Sequence, residues 1–163
     1  MPVAWMEAYQ RYGPALLRKC QRMLQSRHDA EDVVQGLFVD MLSKGKQPED
    51  LPYLYRAVTN RCINFLKYRE NRRRLLERHD EALRGTVRTR CDDTVIGVDL
   101  LSRLMDRLDK KSLEILIYRY FDDMSQEEIA DLIGTSRKTV GKRMKKIKEQ
   151  VRLLLKNGRG DGS

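Results

Sequence analysis

The sequence is poor in residues that interrupt helices. Its 163 residues include only four prolines and ten glycines, and four of the glycines lie near the chain ends, at Gly13, Gly158, Gly160 and Gly162. Because long stretches are free of both residues, the composition favours an all-helical fold. The chain also lacks an apolar run close to the ~20 residues needed to cross a bilayer, so no membrane insertion is expected.

Cysteine is scarce as well. Cys20, Cys62 and Cys91 are widely spaced, form no C-x-x-C pattern, and are not completed to a metal-ligand set by His28 or His79. The pattern indicates reduced thiols in a cytoplasmic protein, without metal or cofactor. A redox or metal-sensing role for one of the three stays open, and Cys91 has the most polar surroundings. No basic region followed by an apolar core begins the chain, so no signal peptide is expected.

Negative charge is in deficit. The chain has 33 Lys and Arg against 24 Asp and Glu, which gives a formal charge of +9. An excess of this size is typical of proteins with a polyanionic partner, either nucleic acid or an anionic membrane surface. Charged residues make up 35% and hydrophobic residues 40% of the chain, enough for compact cores beneath a highly charged surface.

Apolar residues recur at helical spacing in the N-terminal part of the chain. The first stripe runs through residues 4–24, with a kink or a fresh start expected at Gly13-Pro14. A second helix is predicted to open at Asp29 as its N-cap, and a third near Leu51-Pro52, where proline fits the first turn.

The periodicity predicts two small helical domains. Three helices form the first domain, over residues 1–76. Residues 77–98 lose the helical stripe and are predicted to be a flexible linker. The second domain spans 99–156, with one of its helices capped by Asp109, and residues 157–163 are expected to be a disordered tail.

A helix-turn-helix pattern lies in the second domain. Ser125 and Glu128 form a Ser-x-x-Glu capping box, Gly134 supplies the turn, and Thr135 or Ser136 caps the next helix. Gly141, inside that second helix, leaves room for close approach of its backbone either to DNA or to a neighbouring helix.

The second helix of the pair has two opposite faces when it is laid out at 100° per residue. Val140, Met144, Ile147 and Val151 form an apolar stripe, and lysines lie opposite. A solvated amphipathic helix is the alternative reading, but the capping box, the glycine turn and the cationic face together favour DNA binding in the major groove. The candidate contacts are Ser136, Arg137, Lys138, Thr139, Lys142, Arg143, Lys145 and Lys146, of which Lys145 and Lys146, with Lys148, are best placed for phosphates.

The segment "SQEEIADLIGTSRKTVGKRMKKIKEQV" resembles the C-terminal promoter-binding domain of bacterial RNA polymerase sigma factors. "SRHDAEDVVQGLFVDML" and "LPYLYRAVTNRCINFLKYRENRRR" resemble their N-terminal domain. Two helical domains and a short linker are similar to the small extracytoplasmic-function (ECF) type, over residues 5–155. The resemblance implies a cytoplasmic alternative sigma factor that binds core RNA polymerase and directs promoter-specific initiation.

The resemblance also implies roles for individual residues. The N-terminal domain would open and hold the −10 element with the loop 44–50 and the third helix, and the helix-turn-helix would read the −35 element as duplex. The second helix would dock on the clamp helices of the polymerase β′ subunit, and the β flap and an anti-sigma factor are further implied partners. The −10 candidates are Asn60, Arg61, Asn64, Lys67, Tyr68 and Arg69. The core-binding candidates are Asp29, Glu31, Asp32 and Gln35.

The chain departs from many relatives at three positions. Gly36 stands where an acidic residue is common, Tyr53 where tryptophan is common, and Asn64 where aspartate is common. The change at Asn64 removes a negative charge near DNA and puts the promoter sequence in doubt.

Three other functions are alternatives to a sigma factor. A helix-turn-helix regulator that acts without polymerase leaves the N-terminal half unexplained. An interaction protein whose basic helix binds acidic proteins or RNA is a reading from a different class. An enzyme has the least support, because the sequence shows no nucleophile–base pair, phosphate-binding glycine loop or metal-ligand cluster.

Overall fold

The computed structural model describes residues 3–77 and 97–160, and within these ranges it contains seven α-helices and no strand. The all-α prediction is confirmed. The chain divides into two compact units, Met1–Leu66 and Lys67–Ser163. The helices are α1 (Val3–Leu24), α2 (Arg27–Ser43), α3 (Leu51–Glu77), α4 (Val98–Leu104), α5 (Lys110–Tyr120), α6 (Gln126–Ile133) and α7 (Arg137–Gly160).

The core of the first unit is an interface of α1, α2 and the first half of α3. The ring of Phe38 on α2 meets two rings of α1 edge-on, with centroid distances of 6.0 Å to Trp5 and 5.1 Å to Tyr9. From α3, the fully buried side chains are the apolar Leu54, Val58, Cys62, Ile63 and Leu66, together with the polar Thr59. On α1, the apolar residues Trp5, Leu16, Cys20, Met23 and Leu24 have at most 4% of their surface exposed, whereas Tyr9 keeps 38%.

Two thiols meet inside this core. The Sγ atoms of Cys20 on α1 and Cys62 on α3 lie 3.4 Å apart, both residues are fully buried, and no disulfide joins them. Cys91 and His79 lie outside the described residues.

Lys19 is a charged residue in the same interior. Its side chain is completely buried, with Nζ 4.5 Å from the centroid of the Tyr55 ring, close enough for a cation–π interaction. The sequence pattern places lysines and arginines of α1 between the apolar positions, and nothing in that spacing separates Lys19 from its exposed neighbour Arg18.

Two helix boundaries differ from the prediction. Helix α1 continues through Gly13 and Pro14, so a fresh start at this point is wrong, whereas the alternative of a kink stays a prediction. Pro14 lies on the exposed side, where water can hydrate the carbonyl that its missing N–H leaves unpaired. Helix α2 is capped by Ser26 and not by Asp29: the Ser26 Oγ accepts the Asp29 N–H at 3.2 Å. Asp29 instead lies in the first turn, where its charge favours the helix dipole. Helix α3 begins at Leu51, as predicted.

The second unit is organised around α5. Leu113, Ile115, Leu116, Ile117 and Tyr118 are all completely buried, so this helix is enclosed on more than one side. The buried Tyr118 hydroxyl donates to Glu114 at 2.7 Å, which satisfies both polar groups. Asp109 is the N-cap of α5, as predicted, and its Oδ1 accepts the Ser112 N–H at 3.2 Å.

The capping box predicted for α6 is present. The Ser125 Oγ accepts the Glu128 N–H at 3.1 Å, and the Ser125 N–H donates to the Glu128 carboxylate at 3.2 Å. Each of these bonds satisfies a donor that the first turn of the helix leaves without an intrahelical partner.

Helix α7 extends beyond its predicted end. Helix α7 reaches Gly160, so the first four residues of the predicted disordered tail, 157–160, are helical, since no proline interrupts the backbone hydrogen bonding there. Residues 161–163 and nearly all of the linker 77–98 lie outside the described residues. The predicted domain limits 1–76 and 99–156 remain a prediction. No helix in the described ranges is both long and apolar enough to span a bilayer.

We predict that Ser125→Ala lowers the free energy of unfolding by about 1 kcal/mol, because an N-cap hydroxyl that is removed leaves a helix donor unpaired. Urea denaturation followed by circular dichroism measures the change. Ser125→Asp is the matched control, since aspartate supplies an equivalent acceptor and should stay close to wild type. Equal stability of the alanine variant and the wild type would contradict a stabilising role for the box.

Candidate nucleic-acid interface

The turn between α6 and α7 depends on one glycine. Gly134 has φ of 71° and ψ of 41°, the left-handed conformation, and its N–H donates to the carbonyl of Ala130. Side-chain-bearing residues rarely adopt this conformation, although the space beside Gly134 is open. The Thr135 N–H donates to the same Ala130 carbonyl at 3.0 Å, so the chain leaves α6 in a fixed direction.

Ser136 is the residue that caps α7. Its Oγ accepts the Thr139 N–H at 3.1 Å, and the Ser136 and Thr139 hydroxyls lie 2.9 Å apart. Both residues are exposed. The two hydroxyls therefore lie at the first turn of α7, on its solvent-exposed side.

The two faces predicted for α7 are present. Val140, Met144, Ile147 and Val151 are buried. In the segment 137–148 the exposed cations are Arg137, Lys138, Lys142, Lys145, Lys146 and Lys148. No acidic residue occurs between Arg137 and Lys148, so the exposed side carries charge of one sign. Such a surface attracts the phosphate backbone of nucleic acid without regard to its sequence.

Gly141 faces the neighbouring helix. A Cβ built at this position would lie 3.5 Å from the Gln126 Oε1 of α6, which is an ordinary van der Waals distance. Of the two alternatives that the sequence left open, close approach to another helix is the one for which the structure supplies a neighbour.

Arg143 differs from the other cations of α7. Its side chain is 29% exposed, and its Nη1 donates to Asp109 Oδ2 at 2.8 Å and to Ser112 Oγ at 3.3 Å. The guanidinium thus reaches sideways to the start of α5. The hydrogen bond with Ser112, opposed by partial burial and reinforced by Arg143, lowers the pKa of Asp109 from 3.8 to about 2.

A second polar surface lies on α3. Asn64, Tyr68 and Arg69 are exposed, with Tyr68 at 66%, whereas Asn60, Arg61 and Lys67 are half-buried. Spacings of three, four and seven residues bring most of these side chains to one side of the helix. The Oδ1 atom of Asn60 is buried without a hydrogen-bond partner in the described part of the chain.

Asp40 on α2 holds the cations beside this surface and was missed by the sequence reasoning. Its Oδ2 lies 3.1 Å from Lys44 Nζ and 3.6 Å from Arg61 Nη1, and the bond with Lys44 contributes most to lowering the pKa of Asp40. A Cβ at Gly36 would come within 3.1 Å of Arg61 Nη2, so the glycine leaves room for this guanidinium. The available sequence signals were the i,i+4 spacing of Asp40 and Lys44 and the position of Asp40 one helical turn after Gly36.

The loop 44–50 carries an ordered cation–aromatic contact. The Lys46 Nζ donates to the Tyr53 hydroxyl at 3.2 Å and lies 5.9 Å from the centre of its ring. Tyr53 is 39% exposed in the first turn of α3, where the Asp50 carboxylate accepts its N–H at 3.3 Å. This contact places an aromatic ring and a cation together at the solvent edge of the first unit.

The four core-binding candidates lie in the first three turns of α2. Asp32 and Gln35 are exposed, whereas Asp29 and Glu31 are half-buried. Two of the carboxylates pair within the helix, Glu31 with Arg27 at 2.9 Å and Asp32 with His28 at 3.4 Å. Exposed pairs of this kind are weak, so both carboxylates remain accessible to a partner.

An apolar groove adjoins Gln35 and was also missed from the sequence. It has a volume of about 410 Å³ and runs between α1 and α2. Two of its side chains are exposed although they are apolar, Met6 at 47% and Val39 at 61%. Both stand outside the predicted core stripes, which was the available signal. The groove is lined by Met6, Tyr9, Gln10, Gln35, Phe38 and Val39.

Comparison with known proteins finds matches along most of the chain. The family model for sigma-70 region 2 matches residues 8–73, and the model for sigma-70 region 4 matches residues 99–151. The RNA polymerase sigma factor NccH of Alcaligenes xylosoxydans xylosoxydans is 27% identical over 165 residues, which cover 94% of this chain and 88% of that protein. The ECF RNA polymerase sigma factor SigW of Bacillus subtilis is 24% identical, with 90% and 86% covered. The RNA polymerase sigma factor SigV of the same organism is 27% identical, with 81% and 79% covered.

Proposed function

Since the chain belongs to the sigma-70 family, as a sigma factor of the ECF type, we propose that its two helical units divide promoter recognition between them. The protein is an alternative sigma factor that directs promoter-specific transcription initiation, and as such it binds core RNA polymerase and promoter DNA. The observation that carries the division is the occurrence of a region 2 match over residues 8–73 and a region 4 match over residues 99–151, each of which contains one of the two polar surfaces. Its place of action is then the cytoplasm, where the polymerase works.

The second unit reads the −35 element as duplex DNA. In a helix-turn-helix the N-terminal part of the second helix meets base edges in the major groove, and that part of α7 carries Arg137, Lys138 and Lys142, all exposed. Ser136 and Thr139 add hydroxyls beside them. Lys145 and Lys146 lie a turn further on and are assigned to phosphates, which add affinity without sequence information.

The N-terminal domain predicted over residues 1–76, which includes all but the last residue of α3, opens and holds the −10 element. Single-stranded DNA is bound by cations along its backbone and by aromatic faces or pockets for unstacked bases. The exposed side of α3 offers both, with Tyr68, Arg69 and Lys67, and the Lys46–Tyr53 contact extends it. Asn60 and Asn64 lie one helical turn apart on the same helix, and Asn64 is the exposed one of the two.

Helix α2 docks on core polymerase. Asp32 and Gln35 are the exposed members of the candidate set, and Asp29 and Glu31 support them at the start of the helix. The β′ clamp helices are the proposed partner of this surface, and the β flap is the proposed partner of the second unit. An anti-sigma factor is a further proposed partner, because both DNA-binding surfaces are open to one.

We predict that the full chain added to core RNA polymerase produces run-off transcripts from a subset of genomic promoter fragments. Core enzyme alone and core enzyme with the Lys138→Glu/Lys142→Glu variant are the controls, and sequencing of transcript 5′ ends measures the outcome. No added transcripts across a genomic library would contradict the sigma-factor function.

We predict that Asp32→Lys weakens binding to core polymerase at least tenfold, because it places a cation where a carboxylate is proposed to meet the clamp helices. Fluorescence anisotropy of the labelled chain with core enzyme measures the affinity. Glu49→Lys is the matched control, an equal charge change at an exposed position of the same unit. Equal loss in both variants would point to net charge and contradict a specific docking surface.

We predict that Lys138→Glu/Lys142→Glu lowers −35 duplex affinity by about 100-fold or more, because each lost contact costs ~1–3 kcal/mol and the new carboxylates repel phosphates. Binding to core polymerase should be unchanged. The matched control, Arg152→Glu/Lys156→Glu, makes the same charge change on α7 about 21 Å further along its axis and should lose less than tenfold. Joint loss of DNA and core binding would indicate misfolding and remove the support for separate surfaces.

A further inference from the structure

One carboxylate performs two structural tasks in the second unit. Asp109 caps α5 through Oδ1, which accepts the Ser112 N–H at 3.2 Å, and it holds α7 through Oδ2, which accepts Arg143 Nη1 at 2.8 Å. The same Nη1 lies 3.3 Å from the Ser112 hydroxyl, whose residue is buried. The contact joins residues 34 positions apart in the sequence.

Arg143 stands at the border between the two faces of α7. Met144, the next residue, is buried, and Lys142, the one before, is exposed. At 100° per residue Arg143 lies about 60° from Val140 at the centre of the apolar stripe, on the side of the helix that meets α5. Its guanidinium is directed across that border to Asp109, whereas the lysines of the helix extend away from the core.

We propose that Arg143 is a positioning residue, and that the Asp109–Arg143–Ser112 contact fixes the orientation in which α7 presents its exposed cations to DNA. The inference rests on the proposed −35 reading and deepens it. It reassigns Arg143, which the sequence placed among the direct DNA contacts.

The location of the contact explains why it governs orientation. Arg143 follows Lys142 directly and Lys138 by five residues, so a rotation of α7 at this point displaces both head groups. Base recognition requires side chains to be held within about 0.5 Å and 10–20° of the productive geometry. A planar guanidinium that bridges a carboxylate and a hydroxyl restricts rotation better than the point charge of a lysine does.

Electrostatics and positioning predict opposite changes in DNA affinity when the charge of Asp109 is removed. Asp109→Asn removes a negative charge from a DNA-binding unit, so electrostatics alone predicts tighter DNA binding. The positioning role predicts weaker sequence-specific binding. Asparagine caps a helix as well as aspartate does, so this variant preserves the start of α5 and removes mainly the ionic partner of Arg143.

The test uses the full chain and two probes, a duplex enriched by the wild-type chain from a random 20-base-pair library and a scrambled duplex of the same composition. Asp109→Asn and Arg143→Met should each lower affinity for the enriched duplex by about 5- to 30-fold and change affinity for the scrambled duplex by less than threefold. The double variant should lose no more than the stronger single variant. Arg143→Lys should restore only part of the discrimination between the two probes.

The salt dependence of DNA affinity distinguishes a phosphate contact of Arg143 from a positioning role. If Arg143 contacts phosphate, Arg143→Met lowers both affinities alike and reduces the slope of log K against log salt by about 0.9. Arg143→Lys then binds like wild type, and Asp109→Asn binds as tightly or more tightly. That set of results would overturn the proposal. A wild-type chain that enriches no duplex would instead contradict the −35 reading itself, and the inference with it.

Discussion

Burial of the apolar stripe of α7 is the interaction on which the cationic surface depends. Seven of the twelve residues from Arg137 to Lys148 are Lys or Arg, and repulsion between like charges one turn apart costs a helix about 0.2–0.5 kcal/mol per pair. Each large apolar side chain buried from the same helix contributes about 1.5–3 kcal/mol, and Val140, Met144, Ile147 and Val151 are all buried. The stripe therefore outweighs the repulsion and also decides which side the charges occupy.

Carboxylates in both units hold the cations that border a core. Asp109, the N-cap of α5, pairs with Arg143 of α7, and Asp40 of α2 pairs with Arg61 of α3. In each case the side chain of the arginine is only partly exposed, 29% for Arg143 and 38% for Arg61. The acidic residues of this basic chain thereby give its helices a defined orientation while the outward positive charge is retained.

Local chemistry was readable from the sequence because it depends on neighbours within four residues. The capping box at Ser125, the cap at Asp109 and the glycine turn at Gly134 all follow from short motifs. The predicted cap of α2 was wrong because two residues of capping type, Ser26 and Asp29, stand three positions apart. The Ser26 hydroxyl accepts a hydrogen bond from the Asp29 N–H, so Ser26 is the cap.

Contacts between distant residues were not readable. Arg143 looked like one more cation of a basic helix, because its partner Asp109 is 34 residues away. Lys19 is one of several cations of α1 in the sequence, but it is buried with its Nζ over the ring of Tyr55, 36 residues away. The partner of Asp40 on the next helix, Arg61, is 21 residues away. The candidate surfaces themselves follow from helical phase, whereas the division between contacting and positioning residues needs the tertiary structure.

The paired thiols of the first unit also make the protein its own reporter of motion. Cys20 and Cys62 face each other across α1 and α3 with no exposed surface, so an alkylating reagent reaches them only when these helices separate. Their rate of alkylation therefore measures how often the first unit opens locally. Binding of single-stranded DNA near α3 and docking on α2 would each slow the alkylation of these two native cysteines.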